Sequence, residues 1–291
     1  MEHNHPSTKP LITRILVLLG MILLGWVLAS AVSLLLAAAG FDLNSRPSHL
    51  LLQAVSQLVA FLVPSLLYLR FFHRGDSDFV GCACRSRQWL QALLGAVSLL
   101  LLTPAVDWLS IWNDSWHWGG SWAAVEQMLR ATTAQLEVLT REMLTMPHWS
   151  DLLVCLLVVA LIPAVCEELL FRGILQRSLQ RKWGNIHLAI WFTALIFSLF
   201  HGDLFALFPR MLLGAVLGYL YCWSGSLVVN SAAHFVNNAV VVVCYYLYQH
   251  GVIALSPDEP LALPYTLTLC CTAAAVITLT AVKRNKQEER N

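Results

Sequence analysis

The feature that most constrains this chain is a succession of long apolar runs, each of a length that a lipid bilayer selects. A spanning helix needs about 20 mostly apolar residues. Segments at 15–39, 50–71, 88–111, 150–174, 187–208, 210–229, 231–249 and 262–282 approach or exceed that length. Of the 291 residues, 58% are hydrophobic and 12% charged, against about 25% charged in soluble domains. The expected fold class is all-α: a polytopic membrane bundle of about eight transmembrane helices. The first run is too long for the core of a signal peptide, about 7–15 residues, and reads as a retained helix despite "ASA" at 29–31. No basic block stands apart from the membrane pattern, so nothing points to nucleic acid.

Lys and Arg set the expected orientation, because cytoplasmic loops hold the excess. With the N-terminus inside and eight alternating helices, thirteen fall on the inner side: Lys9, Arg14, Arg70, Arg74, Arg85, Arg87, Arg177, Arg181, Lys182, Lys283, Arg284, Lys286 and Arg290. Four fall outside: Arg46, Arg130, Arg141 and Arg210. Both termini are expected in the cytoplasm, in a bacterial inner membrane. Trp108, Trp112, Trp116, Trp118 and Trp122 cluster on the outer side as an interfacial belt. Beyond them, Trp122, Val125, Leu129, Leu136, Leu139 and Met143 recur at helical steps, with Glu126–Arg130 and Glu137–Arg141 as i,i+4 pairs on another face. That pattern predicts a helix lying on the membrane surface, or a lid over a substrate path. Cys82 and Cys84 form a C-x-C that no second pair completes, a weak metal signal.

The polar residues inside the apolar runs carry the chemistry. "LIPAVCEELLFRG" at 161–173 brings Glu167, Glu168 and Arg172 into a spanning segment, where one central charge costs about 2.5–3.5 kcal/mol even on the insertion scale. Glu168 and Arg172 are four apart and can pair, whereas Glu167 is rotated about 100° from Glu168 and lacks that partner. "FSLFHG" places His201 four residues after Phe197, and "AHFVNNAV" places His234 and Asn238 on one face with Asn237 rotated off it. Gln53, Gln57 and Asp107 read as packing and interface residues. Each feature alone fits polar glue between helices. Together they supply a base, an imidazole and oxyanion donors, the parts needed to hydrolyse an amide with activated water. No Ser or Cys has an obvious basic partner by spacing, so a covalent nucleophile is not expected.

"EELLFR", "FSLFH" and "HFVNN" resemble, in order, the E-E-x-x-x-R, F-x-x-x-H and H-x-x-x-[N/D] motifs of the CPBP family. That family groups type II CAAX prenyl proteases with bacteriocin-processing and abortive-infection proteins. The similarity covers about residues 150–249. It implies an eight-helix bundle with a conical cavity open to the cytoplasm. Glu167 and His201 would activate water, His234 and Asn238 would stabilise the oxyanion, and Glu168, Arg172 and Phe197 would support them. The substrate would be a membrane-associated peptide or protein, prenylated or leader-like. No cofactor is the favoured reading; Glu167, His201 and His234 are also an acceptable zinc set. An ion-coupled transporter and a non-catalytic immunity protein are the readings from other classes. The chain is expected to be one integral membrane domain, with 1–149 as helices and surface helix, 150–249 as catalytic core and 250–291 as last helix and tail. One tension concerns depth: Glu167 lies roughly 15 Å along its helix from Arg177, and His201 roughly 24 Å from Asn185. These agree if the fifth helix tilts or starts outside the bilayer, and "GDLFALFP" after it is expected to be irregular.

Overall fold

In the computed structural model, residues 9–74, 76, 79–81, 88–261 and 263–288 are described, the last four by backbone only. Cys82 and Cys84 lie outside them. Among the described residues every regular element is helical. In chain order these are α1 (Leu11–Ala38), α2 (Arg46–Phe72), α3 (Gln88–Leu101), α4 (Thr103–Asp114), α5 (Ala123–Met143), α6 (Trp149–Trp183), α7 (Ile186–Leu199), α8 (Leu207–Ser224), α9 (Leu227–Gln249) and α10 (Tyr265–Glu288). Among the described residues six helices are long and apolar enough to cross a membrane, and the pair α3–α4, bent by 42°, adds a seventh where it is counted as one broken span. The chain is therefore an integral membrane protein. The eighth expected span is the exception: α7 has 14 residues and stops at Leu199.

Continuous apolar sequence to residue 208 conceals a break at 200–206, where Gly202 takes φ 73° and Asp203 caps a single 3-10 turn by accepting from Phe205 N–H. Pro209 falls in the first turn of α8, where its missing N–H costs nothing. Buried Asn113 of α4 holds the break from the side, donating to Leu204 O at 3.1 Å and accepting from Phe208 N–H at 2.9 Å. His201 is thus carried on an irregular segment, its backbone N–H donating to Ser198 O at 3.1 Å.

Two proline-marked distortions shape the walls. Pro64 in α2 and Pro163 in α6 each follow a π-helical stretch, 58–62 and 156–161. A proline lacks an N–H and its ring crowds the carbonyl four residues back, so the preceding turn widens. A third π-helical stretch, 169–176, follows Glu168 without any proline. Glycine lets α8 pack closely on α7: a Cβ on Gly214 would stand 3.3 Å from Ala194 Cα, and one on Gly218 2.8 Å from Ile190. Their spacing of four puts both on the face of α8 that meets α7 and α6. The Gly214 and Gly218 carbonyls consequently accept from Arg172 and Gln176 of α6, each at 3.0 Å.

The amphipathic helix forms as expected at α5, with the Glu126–Arg130 pair at 2.9 Å. Trp118 N–H, Arg130 and His117 together hold the Glu126 carboxyl down to about 2. The Glu137–Arg141 pair does not form; Arg141 reaches Asp258 in the α9–α10 connection instead, at 3.4 Å. A tertiary acid outcompetes a local one worth only a few tenths of a kcal/mol.

Candidate active site

Two neighbouring glutamates on α6 have opposite surroundings. Glu168 is completely buried and fully engaged. Its Oε1 is 2.9 Å from Arg172 Nη1 and 2.8 Å from His234 Nδ1, and its Oε2 accepts from Asn230 Nδ2. Because a carboxylate only accepts, His234 Nδ1 carries the proton of that bond. Arg172, also completely buried, adds the Gly214 carbonyl and lies over the Phe197 ring at 4.6 Å. The Glu168 and Arg172 charges therefore offset each other in one buried network.

Glu167 is rotated out of that network toward a cavity of about 340 Å³. Its Oε1 accepts from Gln57 Nε2 at 3.1 Å, and its Oε2 stands 4.0 Å from His234 Nε2. The same cavity is lined by His201, His234, Asn238, Asn237, Gln57 and Arg210. His201 Nδ1 donates to Phe197 O at 2.9 Å, which leaves Nε2 without a proton in the neutral ring. Asn238 Oδ1 accepts from Asn237 Nδ2 at 3.3 Å, which leaves the Asn238 amide group to donate. Phe197 sits at the hub: its ring centroid lies 4.8 Å from that of His201 and 6.2 Å from that of His234. The four-residue step from Phe197 to His201 thus ties the imidazole to the turn below it.

All four residues expected to react, Glu167, His201, His234 and Asn238, line this one cavity. Phe197 lines it as well, and Glu168 and Arg172, both completely buried, stand behind it. Three readings need correction. Gln57 is not a packing residue but a donor to Glu167, and Gln53 lines the same cavity. Asn237 shares the cavity with Asn238 despite its rotation on the helix. Asn230 and Arg210 were not singled out at all. Asn230 was legible, since it lies four residues before His234 on the same face; Arg210 was not, because it reaches the site across the break after α7.

A wider vestibule of about 740 Å³ continues from the cavity, sharing Gln53, Val159, His201 and Arg210 with it. Helix α5 forms one wall through Thr133, Leu136, Glu137 and Thr140, and Tyr245 and Asp258 form another. The mouth therefore lies at the α5 end of the bundle, opposite the start of α1.

Among the described residues no three His, Cys, Asp or Glu groups come together closely enough to hold a metal ion.

Residues 149–240 match the model of the family described as type II CAAX prenyl endopeptidase Rce1-like. "Uncharacterized protein YpbD" of Bacillus subtilis (strain 168) is 34% identical over 97 residues, which cover 31% of this chain and 44% of that relative. The chain thus spans less than half the length of the curated relative it matches. No solved structure matches. The matched segment contains all three motifs and both glutamates, and over residues 149–240 the chain is similar to the Rce1-like type II CAAX prenyl endopeptidases.

Proposed function

We propose that this protein is an intramembrane endopeptidase in which Glu167 activates water against a peptide bond of a membrane-associated substrate. The observation that carries the reading is the contrast at α6: one glutamate closed off by Arg172, His234 and Asn230, its neighbour open to a polar cavity. The 4.0 Å between Glu167 Oε2 and His234 Nε2 exceeds a direct hydrogen bond, and in this proposal the attacking water sits between the two groups.

In this mechanism Glu167 takes a proton from water while the oxygen attacks the carbonyl carbon, with the unprotonated His201 Nε2 as its assistant. The Asn238 amide donates to the resulting oxyanion. His234 donates from Nε2 when the ring carries both protons, with its Nδ1–H held on Glu168. The proton held by Glu167 then passes to the leaving amine as the C–N bond breaks. Gln57 fixes the rotamer of Glu167, so attack starts from a placed base.

The test is proteomics of membranes from cells carrying the intact chain or Glu167→Gln at equal abundance. Peptide ends found only with the intact chain support the proposal. Identical ends in both overturn it and return the transporter and immunity readings.

A further inference from the structure

The two ends of the bundle differ in charge, and the site opens on one of them. At the mouth end, each arginine sits against an acid: Arg46 on Asp151 at 2.8 Å, Arg130 on Asp114 at 2.9 Å, Arg141 on Asp258 at 3.4 Å and Arg210 on Asp203 at 3.1 Å. The far end is stitched together by Arg14 beside His73, Arg181 on Asp76, Tyr221 O–H to Val80 O, Leu227 N–H to Gly81 O, and Lys283 over Trp223. By sequence, thirteen of the eighteen Lys and Arg residues belong to that far end, in short loops and chain termini. Short loops of this kind are those in which a basic excess marks the cytoplasmic side.

Two sequence expectations now collide. The basic excess puts the far end in the cytoplasm, whereas the family resemblance implies a cavity that opens there. The vestibule opens at the α5 end, so both cannot hold. The charge asymmetry is a property of this chain's own loops, and short-loop Lys and Arg orient membrane proteins directly.

We infer that the site receives its substrate from the non-cytoplasmic side of the membrane. This rests on the peptidase reading and narrows its substrate class. The substrate is an extracytoplasmic segment of a membrane-anchored protein, entering as an extended peptide between α5 and the α9–α10 connection. A prenylated C-terminus made and kept in the cytoplasm has no route to this mouth. The vestibule suits a peptide: Leu52, Leu136 and Val159 offer apolar contact, while Glu137, Asp258 and Arg210 offer polar partners.

Sidedness is measured without any substrate. The full-length chain, with native cysteines replaced, carries either Glu259→Cys beside the mouth or Lys182→Cys at the far end, both exposed positions. A membrane-impermeant maleimide is applied to intact spheroplasts. Labelling of Glu259→Cys at once, and of Lys182→Cys only after permeabilisation, supports the inference; the reverse pattern overturns it. Because cysteine replacement can impair folding, the native chain is also fused at its C-terminus to green fluorescent protein or alkaline phosphatase. Fluorescence without phosphatase activity supports the inference, and phosphatase activity without fluorescence overturns it. The positions of the new peptide ends complete the test. Ends within extracytoplasmic segments support it. Ends within cytoplasmic segments overturn it and leave the peptidase standing. Absence of new ends, with Glu259→Cys labelled from outside, overturns the peptidase and the substrate class together.

Discussion

Behind the cavity, Glu168, Arg172, Asn230 and the Nδ1 edge of His234 form a dry layer in which each charge has its counter-charge. In front of it, Glu167, His201 and Asn238 form a layer whose polar groups face open space. A single residue step, about 100° around the helix, separates a carboxylate used for structure from one free to react. The comparison shows how a bilayer-spanning chain keeps a reactive charge: it neutralises the neighbours completely and leaves a single acid with a neutral donor, Gln57.

The largest expected effect comes from breaking the dry layer. Arg172→Met leaves Glu168 buried without its cation, a loss of about 3–5 kcal/mol for a broken buried pair. Thermal unfolding of the detergent-purified chain should show most of its stability gone, with activity lost as a consequence. The double variant Glu168→Leu with Arg172→Met should recover stability, since apolar replacement of a buried pair is often neutral. It should not recover cleavage, because His234 Nδ1 has lost its acceptor. Recovery of both would reduce the dry layer to mere packing.

The next effect comes from the wet layer. Asn238→Ala should lower kcat by about 10²–10³ and leave the unfolding temperature nearly unchanged, as for one oxyanion donor. A change confined to KM would make Asn238 a binding residue. The smallest effect is expected at Gln57→Leu, which frees the Glu167 rotamer without removing the base. A loss of about 1 kcal/mol or less in transition-state stabilisation, the worth of one neutral hydrogen bond, should appear as a several-fold lower kcat/KM. A loss as deep as that of Asn238→Ala would assign Gln57 a direct part in the reaction.

Much of this arrangement was legible in the chain. Apolar run length located the spans, and the four-residue steps Glu168–Arg172, Phe197–His201 and His234–Asn238 located the site, because helical periodicity converts spacing into shared faces. Legibility failed where the helix stops. The run 187–208 is apolar throughout, so hydropathy could not reveal that α7 ends at Leu199 and that an irregular turn carries His201. It also failed between helices. Gln57 lies 110 residues from Glu167, and no periodic signal within α2 specifies which helix its amide meets. Arg210 and the partner of Arg141 were hidden for the same reason: tertiary contacts chose between partners of similar local merit.

The central claim, that Glu167 is the base and Glu168 its structural neighbour, is tested most directly by single-site turnover. The measurement is the kcat of purified, folded Glu167→Gln chain in lipid nanodiscs, on the peptide segment whose new ends the membrane proteomics identifies. The account predicts a fall of at least about 10²-fold, the lower range for removing a general base, with the unfolding temperature unchanged. A Glu167→Gln chain that cleaves the segment within a few-fold of the intact rate would contradict it.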